Sequence, residues 1–203
     1  MCNAYTVRPR ITASDHDNVS EAVSRLPSPL VRRLGQGVAV KQIGDELIPE
    51  IMRWGFPHPQ YKSVNNARTE SLKRGMWVEP MAKNRCLVPI SSFYEWQELP
   101  GKFKIPHEVR LPGQEWLWVA GLYGVDERGG PCYATITTEP TPEFARIHDR
   151  LLAIVTLEDG LAFLQGEMST FTPYRGPLDV RICESPLKAK PASAPPAQVP
   201  AKK

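Results

Sequence analysis

The chain has 203 residues, 41% of them hydrophobic and 23% charged, with a formal net charge of +3. That composition suits one globular domain with an ordinary core, or one domain plus a tail. No apolar run approaches the roughly 18 residues of a membrane span, and the opening MCNAYTVRPR has no signal-peptide core, so a cytoplasmic protein is expected and a secreted or membrane one is not.

In chain order, Asn18 with Glu21 three positions later resembles a capping box, and Val19, Val23, Leu26 and Leu30 share one helical face. The pattern predicts a helix over about residues 18–26, stopped by Pro27. Strand-forming runs follow: GVAVKQI at 37–43, RCLVPISSFYEW at 85–96, WLWVAGLY at 116–123, YATITT at 133–138 and LAIVT at 152–156. Turn signals lie at Pro100-Gly101, Pro112-Gly113 and Arg128-Gly129-Gly130. Further helices are predicted over PEFARIH at 142–148 and LEDGLAFLQ at 157–165, while the polar stretch Asn65–Glu70 reads as a loop. Strands outnumber helices without a βαβ rhythm, which favours an antiparallel α+β fold.

The last eighteen residues, 186–203, hold four lysines, five prolines, five alanines and no acid. Such a segment cannot build a core, so residues 1–185 are expected to form the domain and 186–203 a disordered basic tail. With those four lysines set aside, the remaining 21 basic and 22 acidic residues leave the body at −1. The overall positive charge is therefore no argument that the body binds nucleic acid. Four scattered cysteines (Cys2, Cys86, Cys132, Cys183) form no CxxC pair, so neither a zinc ribbon nor a disulfide scaffold is indicated.

Chemistry begins at position 2. Removal of an initiator methionine before Cys2 would expose a thiol of pKa about 8.5 and an α-amine of pKa about 7.7–8.0 on adjacent atoms. The amine forms imines with carbonyls, and the thiol can close a five-membered thiazolidine on the same carbon. Alternatively the amine acts as base for its own side chain, as in N-terminal nucleophile hydrolases. Three clusters offer partners. Asn65-Asn66-Ala67-Arg68-Thr69-Glu70 carries an amide and a guanidinium. In Phe93-Tyr94-Glu95-Trp96 a carboxylate sits between two aromatics, where desolvation would raise its pKa towards proton-transfer use. Ile147-His148-Asp149-Arg150 ends a predicted helix. Taken singly, each residue has an ordinary structural explanation: a surface strand glutamate, a helix-terminal histidine, a salt-bridging arginine.

Together these motifs, with Met1-Cys2, Arg53-Trp54-Gly55-Phe56, Arg85-Cys86-Leu87-Val88-Pro89 and Thr137-Thr138, resemble the SOS-response-associated peptidase (SRAP) family of abasic-site processing proteins. The resemblance spans most of residues 1–156. It implies a single α+β domain on a curved, mainly antiparallel barrel-like sheet with a few flanking helices. It also implies covalent capture of abasic sites in single-stranded DNA by Cys2 after Met1 is cleaved. By motif, Cys2 is the expected nucleophile, Asn66 its orienting amide, Glu95 the proton-transfer carboxylate and His148 the sugar-facing acid. Arg68, Trp54, Trp96, Thr137 and Arg150 are the expected DNA contacts, with Arg74 and Arg85 as further guanidiniums for phosphate. Neither a metal nor a cofactor is expected, and the protein is expected to act as a monomer. The chain departs from the family's usual Met-Cys-Gly-Arg opening at Asn3 and Ala4, and has Leu151-Leu152 where Met-Pro is frequent.

The residues suit that chemistry. An abasic deoxyribose is mostly a closed hemiacetal, and an imidazole can protonate its ring oxygen near neutrality. The Cys2 amine would then form an imine at C1′; loss of a C2′ proton would instead nick the strand, a lyase side reaction. Two alternatives stay open at this stage: a cysteine peptidase in which Cys2 attacks a peptide carbonyl, and a passive single-strand-binding module using the tryptophans and arginines.

Overall fold

The computed structural model describes residues 2–12, 16–126 and 129–188. In chain order the elements are β1 (Ala4–Thr6), α1 (Asp17–Ser24), β2 (Leu30–Arg32), β3 (Gln36–Ile43), β4 (Glu46–Trp54), β5 (Asn66–Arg68) and α2 (Val78–Lys83). They continue with β6 (Arg85–Ile90), β7 (Ser92–Glu98), β8 (Lys104–Arg110), β9 (Leu117–Val125), β10 (Pro131–Thr138), β11 (Leu151–Leu152), β12 (Ile154–Val155), α3 (Leu157–Gln165) and β13 (Asp179–Ile182).

Five of these strands close into a ring in the order β10-β4-β3-β6-β9, because β10 pairs with both β4 and β9. Only the β10 pairings with β4 and β5 are parallel; the other strand pairs among the described residues are antiparallel. Closure satisfies backbone groups that an open edge would leave unpaired. Val38, Val40, Leu87, Val119, Leu122 and Ile136 fill the core with no exposed surface. Each such side chain stabilises the fold by about 1.5–3 kcal/mol relative to its exposed state. A second, open sheet runs β2-β1-β7-β8-β13 and is antiparallel throughout.

The helix over 157–165 forms as the sequence predicts. Thr156 Oγ1 accepts from Asp159 N at 3.1 Å, Glu158 and Asp159 occupy the first turn, and Gly166 ends it at φ 88°. Gly160 lets this helix lie against β6: a Cβ there would come within 2.8 Å of Leu87 Cδ1. No helix of the described residues is long and apolar enough to cross a membrane.

Several expectations need correction. Asn18 does not cap α1; it lies inside the helix, and its amide donates to Leu47 O at 2.7 Å, which ties the helix to the β3–β4 hairpin. The run 85–96 is two strands, not one, split at Ser91, whose N–H donates to Thr6 O at 2.8 Å; β6 belongs to the barrel and β7 to the open sheet. LAIVT is likewise divided, β11 pairing with β10 and β12 with β9. PEFARIH holds only a 3-10 turn at Phe144–Arg146, since Phe144 alone is buried in that turn and strand pairing resumes at Leu151. Asn65–Glu70 is not a loop throughout: Asn66–Arg68 forms β5 alongside β10, a long-range pairing that the local polar composition hides. Of the expected tail, residues 186–188 form a turn whose Pro186 carbonyl accepts from Arg32 Nη2 at 2.8 Å. Residues 189–203, Arg128 of the third turn signal, and Met1 lie outside the described residues.

Candidate active site

β1 runs between β2 and β7 with Ala4 opposite Tyr94, so the chain preceding β1 is laid beside the segment that carries Glu95. Cys2 is buried there, its thiol donating to Ala4 O at 3.3 Å. Burial, and next the charge of Glu95, push the thiol well above the usual cysteine range, so it is held as S–H. The Cys2 carbonyl accepts from Asn66 Nδ2 at 2.8 Å and from Asn65 Nδ2 at 2.9 Å. Thr135 on β10 donates its hydroxyl to Asn66 Oδ1 at 2.8 Å, which turns the amide nitrogen of Asn66 towards Cys2.

Glu95 on β7 is buried, and desolvation raises its carboxyl from 4.5 to about 8, with Asp149 adding to the effect. His148 follows the 3-10 turn at Phe144–Arg146 and brings Nε2 to 3.6 Å from Glu95 Oε2. Burial lowers its pKa, so near neutral pH the carboxyl holds a proton and the imidazole is neutral. The Arg150 N–H donates to His148 Nδ1 at 3.1 Å. Nε2, on the other side of the ring, faces Glu95. Asp149 Oδ1, 2.9 Å from Nδ1, is placed to steady the imidazolium once it forms. Glu95 and His148 open onto a cavity of about 630 Å³ that Asn3, Trp96, Lys104 and Arg146 also line.

The structure therefore brings Cys2, Asn66, Glu95 and His148 into one region from four separate parts of the chain. The expected DNA contacts divide. Trp96 is half-buried and faces the cavity, and Arg68 and Arg74 are exposed. Arg150 is buried, donates to Glu70 Oε2 at 2.7 Å and to Thr137 O at 3.2 Å, and pulls the Glu70 carboxyl below its ordinary value against the opposing effect of burial. Its Nε and the Thr137 hydroxyl, both buried, have no hydrogen-bond partner among the described residues. A ligand oxygen meeting them would relieve an unmet demand of about 1–3 kcal/mol per group.

Two of the expected contacts are corrected. Trp54 is completely buried, packs edge-on against Tyr5 at 5.0 Å and donates its indole N–H to Asn65 O at 2.9 Å, so it has no face to offer a base. Arg85 gives its guanidinium to the carbonyls of Met81, Phe163 and Met168 at 2.8–2.9 Å and lies over the Phe163 ring; it ties α2 and α3 to the barrel and is not available to phosphate. Sequence reasoning missed the cavity's own cations, Lys104 and Arg146, which carry no motif, and the second amide on Cys2, Asn65, which was visible as half of an Asn-Asn pair. The remaining cysteines are free; Cys86 and Cys132 are buried in the core and Cys183 is half exposed. Among the described residues no group of three or more His, Cys, Asp or Glu could hold a metal ion.

Known proteins share this architecture. A structure from Bacteroides thetaiotaomicron superposes with a TM-score of 0.74 at 22% identity, covering 94% of this chain and 96% of its own. One from Bordetella bronchiseptica gives 0.71 at 18% identity, covering 91% and 100%. In sequence the chain is 37% identical over 120 residues to the abasic site processing protein YoqW of Bacillus subtilis, covering 53% of each. It is 32% identical over 116 residues to the abasic site processing protein YMR114C of Saccharomyces cerevisiae, covering 52% of this chain and 31% of that protein. The chain thus spans about half the length of the first of these relatives. The family model described as SOS response associated peptidase (SRAP) matches residues 11–184, which include Asn66, Glu95 and His148 and pack against the buried Cys2. With that span matched and the barrel shared, the chain belongs to the SRAP family.

Proposed function

We propose that the protein processes abasic sites by coupling covalently to them in single-stranded DNA through the mature amino-terminal Cys2. The observation that carries this is the pairing of a protonated, buried Glu95 with a neutral His148 beside the residue that bears both an α-amine and a thiol. The names of the relatives, abasic site processing proteins, point the same way.

The sequence of steps follows from where the protons sit. Glu95 passes its proton to His148, the imidazolium so formed protonates the ring oxygen of the sugar hemiacetal, and the C1′ hydroxyl returns a proton to the Glu95 carboxylate, so the ring opens to the aldehyde. The neutral α-amine of Cys2 adds to C1′. Glu95 and His148 pass the protons that turn the resulting hydroxyl into departing water, leaving an imine. The Cys2 sulfur then adds to the imine carbon, its proton goes to the nitrogen, and a thiazolidine closes. If C2′ loses a proton first, the 3′ phosphate leaves and the strand is nicked. A thiol pushed up by burial suits this order, because the amine attacks first and the sulfur needs no free thiolate. A peptidase would need the thiolate at the outset, which the same burial opposes. Trp96, which lines the cavity, would stack on a base, and Lys104 and Arg146, which line it too, would offer cations to phosphates in a body with little net charge.

The test is direct. Purified protein incubated with single-stranded DNA carrying one abasic site is run on a denaturing gel. A shifted band with abasic but not intact DNA supports the reading; nicked DNA alone indicates a lyase, and unaltered DNA rejects it.

A further inference from the structure

Two adjacent side-chain amides converge on one acceptor. Asn66 Nδ2 and Asn65 Nδ2 reach the Cys2 carbonyl oxygen at 2.8 and 2.9 Å and fill both of its lone pairs. Consecutive residues of an extended strand point to opposite faces, so such convergence requires one of the two to be turned out of register. Asn65 is that residue: it precedes β5, and its own backbone carbonyl is gripped by Trp54 Nε1 at 2.9 Å and Thr135 N at 3.1 Å. Asn65 and Trp54 are both buried, so this chain of contacts is shielded from competing water.

We infer that Asn65, held in place by the indole of Trp54, is a second positioning residue for the reacting cysteine, so that Trp54 serves the reaction from behind and not as a DNA contact. The inference rests on the covalent reading given above. A carbonyl held by one donor can swing about that bond. Held by two, it fixes rotation about the Cα–C bond of Cys2 and with it the directions of the amine and the thiol on the same carbon. Reactions in which two groups on one residue must meet one carbon depend strongly on such fixing. Thr135 touches both residues, its N–H on the Asn65 carbonyl and its hydroxyl on Asn66 Oδ1 at 2.8 Å, whereas Trp54 braces Asn65 alone, and each amide is expected to matter.

The experiment compares the mature, Met1-less chain with Asn65→Leu, Trp54→Phe and the double variant. Three quantities are read: the saturating rate of adduct formation with single-stranded abasic DNA, the concentration giving half that rate, and the affinity for the same oligonucleotide without damage. Loss of one buried hydrogen bond in the reacting geometry is expected to lower the saturating rate about tenfold in Asn65→Leu. The half-saturating concentration and the affinity for intact DNA should stay within about twofold of wild type, a split that general destabilisation would not produce. Trp54→Phe keeps an aromatic ring in the core but loses the N–H, and should slow the same step. Because both act through one path, the double variant should be no slower than Asn65→Leu alone. Asn65→Leu reacting at the wild-type rate overturns the inference, as does a slower rate matched by weaker binding of intact DNA, or losses that multiply in the double variant. If Trp54→Phe does not fold, Asn65→Leu alone still decides. A wild-type chain that forms no adduct overturns both readings, whereas a wild-type adduct unaffected by Asn65→Leu overturns this one only.

Discussion

The closed barrel and the open sheet divide the work of this molecule. In the barrel, strand pairing runs full circle and the buried residues are overwhelmingly apolar; its half-buried arginine-to-carbonyl lock, Arg85, ties down helices. In the open sheet, β7 carries a carboxyl with almost no exposure, and β1 leads directly out of Cys2. Burial is common to both regions, but its consequence differs. Apolar burial lowers the free energy of the fold, whereas burial of Glu95 opposes ionisation and so stores a proton at neutral pH. The proposed site lies on the seam where the open sheet, β5 and the segment after β10 meet.

Four measurements would break or sharpen that division. The largest effect should come from the amino terminus: an extension left ahead of Cys2 turns its amine into an amide nitrogen and should abolish the stable adduct, while leaving the thermal melt unchanged. A Cys2→Ser variant with a free terminus should still form an imine, trapped only by borohydride. Next, Glu95→Gln and His148→Ala should each slow adduct formation by about 10²–10⁴-fold. Glu95→Gln carries a second signature. The folded carboxyl binds its proton more tightly than the unfolded one, so folding takes up a proton between pH 4.5 and about 8. Wild-type stability should therefore fall as pH rises through that window, and the Glu95→Gln variant should lack that part of the slope in a melting series. Third, Leu87→Ala in the barrel, beneath Gly160, should cost about 2–5 kcal/mol in denaturant unfolding while leaving the saturating rate of the folded fraction near wild type. A rate that fell with stability would show that the seam is not insulated from the ring. Smallest, Trp96→Ala should weaken single-strand binding by about 1–3 kcal/mol, seen equally on intact and abasic DNA.

Much of this was legible beforehand, for reasons that particular residues make plain. Glu95 stood out because a carboxylate between Tyr94 and Trp96 in a strand run has few reasons to be there other than burial. The helix over 157–165 was readable because its cap, periodicity and terminal glycine are all local. Trp54 was misjudged because a tryptophan beside an arginine and a glycine reads equally well as a surface platform or a core ring, and only the distant Asn65 carbonyl and Tyr5 ring decide. Arg85 looked like a cation for phosphate because the carbonyls that occupy it belong to residues close by in one case and far along the chain in the others. Strands β8 and β13 carried little signal, since both are only partly buried and lack strict alternation. β5 escaped for the opposite reason: its residues are polar, and the parallel partner that makes it a strand lies some 70 residues later.

The central place of β1 has a consequence for the order of events at the ribosome. Cys2 is made before every group that holds or serves it, and β1 must wait for residues 30–32 and 92–94 before it has neighbours on both sides. Asn66 and Glu95 follow, and His148 arrives 146 residues after the cysteine. With synthesis at about 5–20 residues per second, the segment leading into β1 stays unpaired for seconds, the interval in which the proposed removal of Met1 would take place. Only afterwards does the sheet close over it. On the reaction proposed above, Cys2 would therefore stay without its proton donor until most of the domain has been made.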